Sequence, residues 1–187
     1  MIVLADVSLG VLAGGQGSRL GGTDKTQALF RGERLLDRIG RAWPQPFRER
    51  LLSYNLPPAQ ALAGWRCLPD LREGHPGPMA GLEALLHACA GEWLLTAPID
   101  CRELPADLPE RLASTNPAIA CIVSDAEGLQ PLVGLWNAAQ MRPAVAAALA
   151  SGDRAMHALC RRLGVAVLDI APLHLGNLNT PADFSEA

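Results

Sequence analysis

Short apolar runs alternate along this chain with longer segments of helical periodicity. Residues 7–13, VSLGVLA, form a continuous apolar run that predicts a buried strand ending in a glycine-rich stretch. In 33–43, ERLLDRIGRAW, the residues Leu35, Leu36, Ile39 and Ala42 recur at helical spacing and Pro44 stops the pattern. The runs 50–54 (RLLSY) and 65–68 (WRCL) predict two more short strands. A helix is expected over 76–91, with proline early and glycine at its close, followed by a strand at 92–98, EWLLTAP. A weaker helix follows at 105–115, and strands at 118–124 and 132–136 flank the polar turn DAEGLQ. Helices are expected over 141–152 and 153–164, a last strand over 165–170, and a turn with a helix start in the tail GNLNTPADF.

Strands alternating with helices define βαβ units, and these build a mostly parallel sheet covered by helices on both faces. The expected architecture is a three-layer α/β fold. No repeat, low-complexity segment or linker divides the sequence, so residues 1–187 are read as one domain.

Composition narrows the function classes. A chain of 187 residues buries a substantial core without staples. The net charge of −3 argues against broad nucleic-acid or anionic-membrane binding, while leaving room for a local basic pocket. Five scattered cysteines with no CxxC pair, and four histidines with no HExxH pattern, support neither a disulfide framework nor a zinc site. With no signal-peptide pattern and no apolar stretch near 18 residues, a reduced cytoplasmic setting is expected.

Candidate chemistry begins at residues 11–25, VLAGGQGSRLGGTDK. A glycine loop after the first strand of an α/β sheet stands where ligands bind. The dinucleotide fingerprint GxGxxG fails, because Leu20 replaces its last glycine. The phosphate loop GxxxxGK[ST] fails too, because Asp24 precedes Lys25 where glycine is needed. A third design remains, a longer loop whose backbone wraps a nucleoside triphosphate. Gly14, Gly15 and Gly17 let the backbone approach an anion closely, and Arg19 and Lys25 supply a bidentate fork and a point charge.

The stretch LAGGQGSRLGGTDK resembles the LAGGxSxRMGxDK signature of the nucleotidyltransferase family that includes molybdenum cofactor guanylyltransferase. HPGPMAGL (75–82) is similar to that family's PGPLAGL segment. The aspartate after EWLLTAPI, QPLVGLWN (130–137) and the tail LNTP preceded by Asn177 continue the match in order. The resemblance implies a Rossmann-like nucleotidyltransferase fold and GMP transfer from GTP to the terminal phosphate of molybdenum-molybdopterin, with release of pyrophosphate. It implies Mg2+ as cofactor and, as further partners, molybdoenzyme apoproteins or cofactor-insertion proteins. Neighbouring alternatives are a molybdopterin cytidylyltransferase and a sugar-phosphate nucleotidylyltransferase. An alternative of another class is a non-catalytic nucleotide- or pterin-binding carrier.

In that chemistry the protein positions two polyanions and neutralises their charge. Asp100, where the strand EWLLTAP meets a loop, is the natural magnesium ligand, and it joins Arg19 and Lys25 as the expected catalytic set. By resemblance, Leu12, Ala13, Gly14, Gly15, Gly17, Lys25, Asp70, Gly81 and Asp100 contact the nucleotide. Asn177 and Asn179 flank Leu178, so strand-like alternation points both amides the same way, toward pterin or phosphate edges. Arg154 resembles a basic position of the family and is expected at the pterin phosphate. Three departures stand out. Cys101-Arg102 replaces a small residue and proline after Asp100. Ser53 stands where relatives often have asparagine, leaving Asn55 as the nucleotide-contacting amide, and Leu20 replaces methionine, a volume-conserving change.

Overall fold

A computed structural model describes residues 1–13, 24–55, 62–74 and 77–185. After a 3-10 turn at Leu4–Asp6 the chain runs β1 (Val7–Leu12), β2 (Leu29–Phe30), β3 (Glu33–Arg34), α1 (Leu35–Ala42), β4 (Glu49–Ser53) and β5 (Arg66–Leu68). It continues through α2 (Pro78–Ala88), β6 (Trp93–Pro98), α3 (Leu108–Ser114), β7 (Ala120–Asp125) and β8 (Gly128–Asn137). The last elements are α4 (Ala138–Ala150), α5 (Met156–Leu163), β9 (Ala166–Asp169) and α6 (Pro181–Ser185).

Seven strands form one sheet in the order β5-β4-β1-β6-β8-β7-β9. All run parallel to β1 except β8, which is antiparallel to both of its neighbours. The expected mostly parallel α/β sheet is therefore present. Val7, Leu9 and Val11 of β1 pack in one layer with Leu35, Leu36 and Ile39 of α1 and with Leu108 and Leu112 of α3. On the other face, Leu51, Leu94 and Trp136 meet Met79, Leu82 and Leu85 of α2, Met141 and Val145 of α4, and Leu159 of α5. Burial on both faces is why β1 reads as an uninterrupted apolar run: all six of its residues are buried.

From β1 the chain builds outward to β4 and β5 on one side, then returns to β6 on the other. The carboxyl ends of β1 and β6 thus flank the switch point where open α/β sheets bind ligands. A bulge widens this edge. Ile122 pairs with Gly134 but Val123 with Gln130, leaving residues 131–133 of β8 without partners on β7. The buried Thr96 hydroxyl holds the bulge by donating to the Leu132 carbonyl (2.9 Å) while accepting from Trp136 Nε1 (2.7 Å). Pairing between β6 and β8 stops at Thr96, so Ala97 and Pro98, just before Asp100, keep β1 as their partner strand.

One expected element is reshaped. The helix read over 33–43 begins only at Leu35, because Glu33 and Arg34 pair with Phe30 and Leu29 in a tight hairpin. Its turn residues Arg31 and Gly32 both have positive φ, 51° and 76°, as a two-residue hairpin loop of this hand demands. Elsewhere the expected elements appear with shifts at their ends, as where the helix read over 76–91 occupies Pro78–Ala88.

Candidate active site

Lys25 and Asp100, 75 residues apart, meet at the switch point: Lys25 Nζ lies 2.5 Å from Asp100 Oδ2. The turn carrying Lys25 is built by its neighbour. Asp24 Oδ1 accepts from the Thr26 amide (2.9 Å) and hydroxyl (2.8 Å), and the Asp24 carbonyl accepts from the Gln27 amide. Asp24 Oδ2 accepts from the Tyr54 hydroxyl at 2.6 Å, which ties the turn to the end of β4. Burial, then the hydrogen bond to the Asp24 carboxylate, raises the Tyr54 phenol above its usual range, so Tyr54 remains a donor. Asp24 and Tyr54, the chain's single tyrosine, were not among the residues the sequence pointed to.

Asp100 sits in a loop that is zipped to the C-terminal tail. The Leu178 amide donates to the Asp100 carbonyl (2.8 Å), Cys101 bridges Asn177, the Arg102 amide donates to Gly176 (3.2 Å), and the Glu103 amide donates to Leu175 (2.8 Å). In this ribbon Leu178 is fully buried while Asn177 and Asn179 are exposed, the alternation expected of the tail. A proline at position 102 would remove the bond to Gly176, so the departure to Cys101-Arg102 adds a rung to the ribbon. Cys101 itself is buried, and desolvation pushes its thiol far up, so it stays protonated and unreactive at neutral pH. After the ribbon, Thr180 starts α6, and Asp183 Oδ2 accepts from the Thr180 amide (2.7 Å) and hydroxyl (3.0 Å).

Asp125, at the carboxyl end of β7, anchors the tail from the other side. Its buried carboxylate accepts from the Leu175 amide (2.9 Å), the Glu127 amide (2.9 Å) and Gln130 Nε2 (3.1 Å). Burial alone would raise its pKa. The bonds from Leu175, Gln130 and Glu127, with the nearby His174, outweigh burial and hold it below the ordinary aspartate range. The sequence showed Asp125 only as part of a polar turn.

On the β4 side, Asn55 and Asp70 form a reciprocal pair. Asn55 Nδ2 donates to Asp70 Oδ2 (2.9 Å), and Asn55 Oδ1 accepts from the Asp70 amide (2.8 Å). The amide singled out in the sequence is thus engaged in fixing Asp70. The loop after Asp70 is pinned by Arg72, whose Nε and Nη2 form a fork on the two carboxylate oxygens of Glu83, both at 2.8 Å, with Nη2 also reaching the Ala146 carbonyl. Glu83 lies on α2 and is 8% exposed. Gly81, also on α2, packs against the ends of β1 and β4: a Cβ there would sit 2.5 Å from Ser53 Oγ and 3.0 Å from Leu12 Cδ2. Its lack of a side chain lets the first turn of α2 approach the switch point. Leu12 is buried with its carbonyl accepting from the Ile99 amide (3.0 Å), and the Ala13 amide donates to the Ser53 carbonyl (3.1 Å).

The structure therefore brings together Leu12, Ala13, Lys25, Asp100, Asn177 and Asn179, with the Asn55–Asp70 pair at the end of β4 and Gly81 beneath. Arg154 stands apart and exposed in the α4–α5 connection. Arg142, near the start of α4, donates to the Leu86 and Cys89 carbonyls at the end of α2, while Ala146 a turn later accepts from the Arg72 that grips Glu83 earlier in α2, so α4 runs back toward the start of α2. Gly14, Gly15, Gly17 and Arg19 lie outside the described residues. Among the described residues no group of three or more histidine, cysteine or carboxylate side chains gathers to hold a metal. A lone carboxylate at the ligand edge fits a hard ion that arrives with phosphate oxygens and keeps some of its water, as magnesium does. All five cysteines are free, and no helix among the described residues is long and apolar enough to cross a membrane.

A mostly parallel sheet with a lysine–aspartate pair at its switch point fits an α/β nucleotidyltransferase. Residues 9–167 match the MobA-like NTP transferase domain, and the chain belongs to that family. It is 36% identical over 183 residues to a molybdenum cofactor guanylyltransferase of Cereibacter sphaeroides, covering 95% of this chain and 93% of that protein. It is 32% identical over 181 residues to a protein of the same description from Photobacterium profundum, covering 94% and 92%. The fold is shared with molybdopterin-guanine dinucleotide biosynthesis protein A of Archaeoglobus fulgidus, at a TM-score of 0.70 and 21% identity over 95% of this chain and 94% of that one. It is shared too with the 2-C-methyl-D-erythritol 4-phosphate cytidylyltransferase of Thermus thermophilus, at a TM-score of 0.67 and 19% identity over 94% of each.

Proposed function

We propose that this chain transfers GMP from GTP to the terminal phosphate of molybdenum-molybdopterin, giving molybdopterin guanine dinucleotide and pyrophosphate. One observation carries the reading. The Lys25–Asp100 pair and the amide-bearing tail are hydrogen-bonded into one unit at the switch point, so a cation-handling group and an acceptor-facing segment share one peptide, Asp100. The guanine and pterin assignments follow the relatives, which are described as molybdenum cofactor guanylyltransferases over nearly their whole length.

The reaction is an in-line displacement: a terminal phosphate oxygen of the pterin bonds to the α-phosphorus as the bond to the bridging oxygen of pyrophosphate breaks. The chain orients both anions and neutralises them. Gly14, Gly15 and Gly17 wrap the triphosphate, Arg19 and Lys25 place positive charge on it, and Asp70 with Asn55 borders the nucleoside beside Leu12, Ala13 and Gly81. Asp100 would hold Mg2+, which would supply charge neutralisation at the phosphates. Asn177, Asn179 and Arg154 receive the pterin and its phosphate. Five free thiols suit a reducing compartment, and we assign the enzyme to the cytoplasm, passing its product to molybdoenzyme apoproteins or insertion proteins.

Titration calorimetry of the protein with GTP and with CTP, each with magnesium, checks the donor half alone. GTP is expected to bind at least about tenfold more tightly, a difference of about 1.4 kcal/mol. Equal binding, or a preference for CTP, would move the reading to a cytidylyltransferase.

A further inference from the structure

Arg38 lies on α1, outside every segment assigned so far to the nucleotide or the pterin. Its guanidinium nevertheless reaches the loop that follows Asp100, donating from Nη2 to the Arg102 carbonyl (2.5 Å) and from Nη1 to the Cys101 carbonyl (3.5 Å). It stacks 4.6 Å from the ring centroid of Phe30, which is fully buried. Phe30 in turn packs edge-on against Phe184 of α6, with ring centroids 6.4 Å apart. Arg38 is therefore a partly desolvated cation spent on backbone carbonyls, an expensive arrangement for a merely solvated helix face. Burial lowers its pKa, with Glu103 and Glu33 opposing the shift, and an arginine so shifted still keeps its charge.

The two peptide units that Arg38 grips from the α1 side are those zipped to the tail on the other side. Arg102 donates its amide to Gly176, Cys101 bridges Asn177, and the preceding Asp100 carbonyl accepts from Leu178. We propose that Arg38 is a positioning residue for the transfer reaction, setting both the Asp100 carboxylate and the Asn177–Asn179 segment through the backbone of residues 100–102. One guanidinium thus fixes the distance between the metal-holding group and the acceptor-holding segment. Lysine would keep the charge but not the planar fork over Phe30.

The kinetic part of this inference rests on the proposed GMP transfer; the structural part does not, and the experiment separates them. Arg38→Met keeps the apolar stem, and Arg38→Lys is the companion variant should Arg38→Met fold poorly. In Arg38→Met the amides of Arg102, Glu103 and Leu178 are expected to exchange with solvent deuterium at least about tenfold faster than in the wild type. The KM for molybdenum-molybdopterin is expected to rise about tenfold and kcat to fall by a similar factor, while GTP affinity falls by no more than about threefold, because Arg38 reaches the nucleotide side only through Asp100 and leaves Lys25, Asn55 and Asp70 in place. Arg38→Lys is expected to fall between the two. Unchanged exchange at those amides, or equal losses of GTP and pterin affinity, would overturn the role. Accelerated exchange in a protein whose wild type turns over no nucleotide would leave the positioning inference standing and remove the transfer reading instead.

Discussion

Replacing Asp100 by asparagine is expected to lower turnover by about 10²- to 10⁴-fold while leaving the thermal midpoint within a few degrees of the wild type. The side chains are nearly isosteric, and the Asp100 carbonyl that accepts from Leu178 is backbone, so the ribbon to the tail survives. What is lost is the negative charge beside Lys25. The pair is only partly shielded, with the lysine 24% and the aspartate 15% exposed, so its contribution to stability is about 1 kcal/mol or less. The role proposed for that charge is to hold magnesium against the triphosphate, and among the described residues no group of three or more histidine, cysteine or carboxylate side chains gathers to take it over. Steady-state kinetics with saturating GTP and magnesium, beside a melting curve, check both halves. Turnover within tenfold of the wild type would remove Asp100 as the metal-holding residue.

The second large effect is on stability. Asp125→Ala strips the common acceptor from the Leu175 amide, the Glu127 amide and the Gln130 side chain in a buried setting. At about 1.5–3 kcal/mol for each bond to a charged acceptor, partly recovered by water at the exposed turn, a loss of about 3–5 kcal/mol is expected. For a chain of this length that corresponds to a fall in melting temperature of roughly 10 °C. The KM for the pterin substrate should rise as well, since Leu175 leads directly into the ribbon. The pH dependence has a definite sign. The folded-state pKa of Asp125 is depressed, so its stabilisation is complete above the unfolded aspartate value of about 3.9 and is lost as pH falls through the lower folded value. In Asp125→Ala this component of acid destabilisation should be missing. Melting curves from pH 7 down to pH 3 on both proteins measure it, and parallel curves would refute the assignment.

β1, β4 and β6 were legible in the sequence because parallel strands buried on both faces leave continuous apolar runs. The pair β2–β3 was not, since two-residue strands have no period to detect and their only sign is the Arg31-Gly32 turn. The outward alternation of Asn177 and Asn179 was legible because it is local. The partner of that tail was not: the ribbon from Asp100 to Leu178, the bond from Tyr54 to Asp24, and the grip of Arg38 on Cys101 and Arg102 join residues 30 to 78 positions apart. Glu83 did leave a trace, as the one carboxylate in the helix PMAGLEALLHA, which is apolar apart from it and the exposed His87 in the last turn. Such a buried charge implies a cation close by, and Arg72 supplies it.

In the proposed reaction one site joins GTP to molybdenum-molybdopterin. The purified protein, given molybdenum-molybdopterin and magnesium with GTP, CTP or ATP in turn, tests it through pyrophosphate release. Release with GTP that depends on the pterin and exceeds that with CTP or ATP by at least about tenfold is the expected result. Release with CTP in preference to GTP, or with no nucleotide at all, would contradict it.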